Sequence, residues 1–210
     1  MERLYLKDIA YQKIKEMIIL EKIKGPIVSE NELVEILGMS RTPIREALQR
    51  LENDDNFLEI SPKRGIYIKD ITISEVRDLM DIRLAIELFS MNRISNLITE
   101  EHLSLLDEHV KYQEEMRDKN QIYNFLKSDL EYHEVLLKIF GNEEFIKVLH
   151  NISDRLLKNG MKVFSRERAR MTKSINDHKV INNFLRKKDF EKAAIALEEH
   201  IITGKKMHLS

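Results

Sequence analysis

Only 6 glycines and 3 prolines interrupt 210 residues, and this scarcity constrains the fold more than any other feature of the sequence. So few turn formers cannot supply the closely spaced reversals of a β-sandwich or barrel, and the chain reads as mainly α. All three prolines, Pro26, Pro43 and Pro62, lie in the first third. So does the only β signal, LEISPKRGIYIKDI from Leu58 to Ile71. The chain therefore changes character near residue 72, which divides it into an N-terminal domain, 1–72, and an all-helical domain, 73–210. Apolar residues make up 42% and can fill real cores, while 35 Lys+Arg against 36 Asp+Glu argue against a polybasic tail or wholesale disorder. The absence of cysteine excludes disulfides, thiolate metal sites and cysteine nucleophiles together, and fits a reducing compartment. No uncharged run is long enough for a signal peptide or a membrane span, so a soluble, cytoplasmic protein with no membrane partner is expected.

Beyond residue 72, amphipathic runs are punctuated by helix-start and helix-stop signals: Ser74, Thr99, Gly141-Asn142, Gly160 and Asp189. They predict a bundle of about six helices, near 73–97, 99–118, 120–140, 143–159, 165–188 and 189–206. In the first third, Ile14, Met17 and Ile18 mark one helix, which ends before Gly25-Pro26. Ser29 and Glu32 form a capping box before Leu33, Ile36 and Leu37, and Gly38 stops that helix. Ser40 then caps a third helix with Pro43 in its first turn. Helix, tight turn, helix is a helix-turn-helix outline.

At about 100° per residue, Ile44, Ala47, Leu48 and Leu51 of the third helix fall on one side, and Arg41, Thr42, Arg45 and Gln49 on the other. Such a polar face suits the major groove, where arginine forks onto guanine and threonine meets phosphate or a thymine methyl; it equally suits a solvated charged helix. After it, Phe57–Ile60 and Gly65–Ile68 can pair as a short hairpin wing whose tip carries Pro62, Lys63, Arg64 and Gly65, or an ordinary turn with a solvent-facing basic pair. Residues 1–72 hold 12 Lys+Arg against 13 Asp+Glu, a net −1, so DNA affinity must come from locally clustered arginines and from two copies acting together.

The run SENELVEILGMSRTPIREALQRLE, followed by PKRGIYI, resembles the winged helix-turn-helix of GntR-superfamily bacterial transcriptional regulators. The segment Ser40-Arg41-Thr42-Pro43-Ile44-Arg45-Glu46-Ala47-Leu48 matches that family's recognition-helix signature, and Arg64-Gly65 stands at its wing. The resemblance implies that Ser40, Arg41, Thr42 and Arg45 approach DNA and that Gly65 enters the minor groove. Asn31 departs from the family pattern where many relatives carry arginine, which bears on operator affinity and sequence. Asn56 replaces a glycine and tolerates the left-handed conformation required there.

Asp129 and His133, four residues apart, share a helix face and could reach one metal ion, though such pairs are common on helix surfaces. His178 and His200 sit beside apolar stripes and, by themselves, read as buried histidines with ordinary hydrogen bonds. Taken in order, Asp129-x-x-Tyr132-His133, Gly141-Asn142, His178, Lys188-Asp189 and His200 are similar to the FCD effector domain of the FadR and VanR-like branch of the same superfamily. By that resemblance Asp129, His133, His178 and His200 hold a divalent transition metal, zinc or nickel, with open positions for an effector carboxylate. Arg83, spaced four from Glu87, could bind the carboxylate or pair with Glu87, and Asn182 could add a hydrogen bond in the effector pocket. His102, His109, His150 and His208 stand outside the motif, and His102, His109 and His208 read as surface groups. The expected protein is a homodimeric, ligand-responsive transcriptional regulator and repressor, not an enzyme. It would bind a pseudo-palindromic double-stranded DNA operator and an organic-acid effector. The alternative is a metal-dependent hydrolase in the helical domain.

Overall fold

A computed structural model describes residues 5–54, 56–61 and 64–208, and the chain divides into two compact units, Met1–Ile71 and Thr72–Ser210. In the first unit, α1 (Leu6–Ile19), α2 (Glu30–Leu37) and α3 (Arg41–Asn53) carry a three-stranded antiparallel sheet of β1 (Ile27–Val28), β2 (Leu58–Ser61) and β3 (Gly65–Ile68), ordered β1-β3-β2. The expected hairpin is present, with Leu58 opposite Ile68 and Ser61 opposite Gly65. The sequence reading missed β1, because two residues cannot display a period; Val28 pairs with Ile66 and is buried by the tertiary fold. Ile14 and Ile18 of α1 join Leu33, Ile44, Leu51 and Leu58 in the core, and full burial of such side chains is worth roughly 1.5–3 kcal/mol each.

The capping box predicted at Ser29 and Glu32 is formed, and Gly38 ends α2 with φ 63°. Ser40 occupies the N-cap position of α3 in extended conformation, but its hydroxyl makes no capping bond. Asn56 takes the left-handed conformation, φ 55°.

The second unit is a bundle of α4 (Ile73–Met91), α5 (Glu100–Asp118), α6 (Ile122–Phe140), α7 (Glu143–Arg166), α8 (Ala169–Arg186) and α9 (Phe190–His208). Helix α6 packs between α5 and α7, while α9 packs on both α4 and α8. Three boundaries differ from expectation. Thr72, not Ser74, caps α4, through a box closed by Glu75. That helix stops at Met91 rather than near 97, because Arg93 and Leu97 close tight turns that fold fully buried Ile94 back under the bundle. Gly160 does not end α7, which continues to Arg166; a glycine inside a helix costs about 1 kcal/mol relative to alanine but does not forbid it. Among the described residues no helix is long and apolar enough to cross a membrane.

Candidate functional site

In the first unit, Pro43, Ile44, Ala47, Leu48 and Leu51 are buried, and Arg41, Thr42, Arg45 and Gln49 are exposed on the opposite face. The arginines are held from α2: Arg45 Nε donates to Glu30 Oε2 at 2.8 Å and Arg41 Nη2 donates to Asn31 Oδ1 at 3.1 Å. Asn31, the departure noted in the sequence, thus orients a recognition-helix arginine. Gly65 takes φ 98°, and a Cβ there would come within 3.1 Å of Ile27 Cγ2 and 3.3 Å of the Val28 carbonyl. Glycine is required at the tip end of the hairpin by the approach of β1, a reason the sequence could not show. Arg64 is exposed beside it, whereas Lys63 and Pro62 lie outside the described residues.

In the second unit, α6 supplies Asp129 and His133, α8 supplies His178 and α9 supplies His200. One ligand atom from each lies within 4.8 Å of the others. His133 and His178 are fully buried, and Asp129 and His200 are half-buried. What organises the cluster is a second ring of residues behind it. His133 Nδ1 lies 2.6 Å from Glu87 Oε2, His178 Nδ1 2.9 Å from Gln113 Oε1 and His200 Nδ1 3.4 Å from Asp177 Oδ2. The Gln113 amide is oriented by its own donation to the Ser128 carbonyl at 3.3 Å, so its oxygen faces the imidazole. At His178 and His200 the Nδ1 therefore carries the hydrogen and Nε2 turns a lone pair inward, while His133 Nδ1 meets Glu87 at ion-pair distance without an aligned hydrogen bond.

His133 Nε2 and His200 Nε2 lie 3.2 Å apart, close enough for one to donate to the other. His178 Nε2 has no hydrogen-bond partner and lies 3.7 Å from Asp129 Oδ1. Backing an imidazole with an acceptor is how proteins orient histidine toward a metal. The residues fit a divalent ion bound by three nitrogens and one oxygen.

Of the two roles left open by the sequence, Arg83 takes the pairing with Glu87. Its Nε donates to Glu87 Oε1 at 2.8 Å, while its Nη2 is buried without a partner. Burial alone would raise the Glu87 carboxyl, but the charge and hydrogen bond of Arg83, together with the adjacent His133, outweigh it and bring it down to about 2. Arg83, Asp129 and His200 border one small cavity of about 60 Å³. Asn182 does not border it. Its carbonyl accepts from Tyr132 Oη at 2.8 Å and its amide donates to Asp107 at 2.9 Å, and the Tyr132 ring stacks on His178 at 4.0 Å. Asn182 thus acts one layer back, on the ring that packs against a ligand histidine. Of the histidines outside the cluster, His150 is exposed against Glu134 and His102 closes the cap of α5. His109 is half-buried against Ser128 rather than free on the surface. The His208 side chain lies outside the described residues.

Burial pushes the imidazole of His178 well below its ordinary 6.5, helped by the neighbouring His200, His133 and Arg83; burial also lowers His133, against the pull of Glu87. A lowered histidine pKa means the unfolded chain takes up protons that the folded chain refuses, so this contribution is complete above pH 6.5 and is lost as pH falls toward the folded values. Urea unfolding after chelation should therefore show lower stability at pH 5.5 than at pH 7.5. Equal or greater stability at the acid pH would contradict neutral buried imidazoles.

The chain matches the family model for the FCD domain over residues 78–203 and that for bacterial regulatory proteins of the gntR family over residues 6–68. It belongs to the gntR family of bacterial transcriptional regulators, in the branch that carries an FCD domain. It is 26% identical over 146 residues to the HTH-type transcriptional regulator YdhC of Bacillus subtilis, a match covering 69% of this chain and 65% of that protein. It is 31% identical over 115 residues to the HTH-type transcriptional repressor RspR of Escherichia coli, covering 55% of this chain and 50% of that one. The matched region thus spans half to about two thirds of these relatives. Among solved structures, a GntR transcriptional regulator from Rhodococcus sp. RHA1 superposes with TM-score 0.82 at 16% identity over 97% of both chains, which establishes a shared fold. The family is one of regulators rather than enzymes, and the hydrolase alternative gains no support from it.

Proposed function

We propose that this protein is a cytoplasmic, ligand-responsive repressor that binds a pseudo-palindromic double-stranded operator as a homodimer. In this reading Thr72–Ser210 holds a divalent transition metal, zinc or nickel, together with an organic-acid effector that modulates operator binding. One observation carries it: three histidines and Asp129 converge on one point, beside a cavity that Arg83, whose buried Nη2 has no partner, also lines. A metal there would offer open positions to a carboxylate, and Arg83 would supply the second contact. The repressor sense is supported by the name given to RspR. An effector can shift operator affinity only by the difference in its own affinity for the DNA-competent and DNA-incompetent states. The test is a titration of candidate organic acids against a metal-loaded protein–operator complex, followed by fluorescence anisotropy. Release that requires both acid and metal supports the reading, and release indifferent to chelation rejects it.

On the DNA side, Ser40, Arg41, Thr42, Arg45 and Gln49 form the recognition-helix contacts, with Lys63, Arg64 and Gly65 at the wing. Arg41→Ala and Arg45→Ala should each weaken specific binding by about 1–3 kcal/mol, while Lys63→Ala and Arg64→Ala act evenly across sequences. Electrophoretic mobility shifts with specific and scrambled fragments measure both, and unchanged operator affinity in both recognition-helix variants would sink the assignment.

A further inference from the structure

Four of the six glycines, Gly25, Gly38, Gly65 and Gly141, have φ between 63° and 98°, where the backbone itself favours glycine. The other two, Gly160 in α7 and Gly204 in α9, lie inside helices, where glycine is roughly 0.5–1 kcal/mol worse than alanine and backbone geometry gives no reason for it. Both line the cavity that holds Arg83, Asp129 and His200. A Cβ on residue 160 would stand 3.0 Å from both methyl carbons of Leu126, and one on residue 204 would stand 3.3 Å from Met80 Cε. Leu126 and Met80 are themselves walls of the cavity. At each site, then, a missing methyl leaves a recess into which the far end of a wall side chain lies back. Those ends are flexible, so the fold could accept alanine; what alanine would remove is space in the cavity.

The charge lining indicates what occupies that space. Arg170 and Lys173 border the cavity but have carboxylate partners, Glu167 at 2.7 Å and Asp177 at 3.2 Å. Arg83, only 6% exposed, keeps one nitrogen with no partner. One uncommitted donor beside one candidate metal centre calls for one anionic group, and the side chains in the recesses at Gly160 and Gly204, Leu126 and Met80, are hydrocarbon.

We propose that Gly160 and Gly204 set the size limit of the effector pocket, and that the effector is a monocarboxylate whose unsubstituted hydrocarbon tail fills the space Leu126 and Met80 leave open. This rests on the reading of the cavity as the effector site. The test is calorimetric titration of the full, zinc-loaded chain with straight-chain alkanoates from acetate to decanoate. Affinity should rise about fourfold per methylene up to a limiting length. In Gly160→Ala and Gly204→Ala that limit should fall by one or two carbons, with acetate binding unchanged. An unchanged limit in both variants overturns the role of the glycines, and tighter binding of hydroxylated acids than of alkanoates of equal length overturns the tail. If no carboxylate of any length binds the parent, the effector-site reading itself fails and takes the proposal with it. Should Gly160→Ala fail to fold, Leu126→Ala opens the same wall from the other side and is expected to lengthen the limit; no change there counts equally against the proposal.

Discussion

Alanine in place of His178 is expected to empty the metal centre: a parent chain loaded with about one zinc or nickel ion should bind it at least on the order of 10²-fold more tightly than the variant. His178 is fully buried, its Nδ1 is committed to Gln113 and its Nε2 has no partner in the protein, so that nitrogen has one chemical use left. Gln113→Ala should cost less, about 10–100-fold, as is usual for a residue that orients a ligand without touching the ion. The ordering of the two losses distinguishes a metal site from a buried histidine pair, because a purely structural cluster would show no metal affinity to lose. Competition with a chromophoric chelator gives the affinities, and elemental analysis gives the stoichiometry. A parent chain that stays empty after expression in metal-supplemented medium would reject the centre altogether.

The second large effect is on stability. Arg83→Ala removes the cation that balances a fully buried Glu87 carboxylate, and leaving such a charge uncompensated typically costs about 3–5 kcal/mol. The sequence left Arg83 open to an effector carboxylate or to Glu87. The buried pair makes the alanine variant a destabilised protein. Arg83→Lys separates pairing from effector binding: an ammonium can still face Glu87, but it lacks the second, unpartnered guanidinium nitrogen. Most of the stability should therefore return in the lysine variant while the response to effector does not. Urea unfolding of both variants, paired with operator release by acid, measures the two quantities. Normal effector sensitivity in a folded, metal-loaded Arg83→Lys protein would remove Arg83 from the effector site.

Much of this molecule is legible without coordinates, because the signals are local. The Ser29–Glu32 capping box, the buried Ile44–Leu51 stripe and the left-handed Asn56 each depend on residues within a few positions of one another. Where the local signal was absent or misleading, the reading slipped. Two-residue β1 has no period, Ile94 continues an apolar pattern after its helix has turned, and Gly160 sits inside a helix. The four converging residues were found through a pattern spread over 72 residue numbers, from Asp129 to His200. Their partners were not. Gln113 carries no motif and reaches His178 across 65 positions, and Asp177, although adjacent to His178 in sequence, serves His200 instead.

The sequence by itself determined where α2 and α3 start and which face of α3 is apolar. Helix propensity, capping and 3.6-residue periodicity act over a single turn or two, and the residues concerned are all present in that span. Only the tertiary structure decided which nitrogens of His178 and His200 point inward, that Arg83 is buried against Glu87, and that two helical glycines line the cavity. Those outcomes depend on which helices pack against one another. A tautomer is set by an acceptor on another helix, and a cavity is set by what its neighbours leave unfilled.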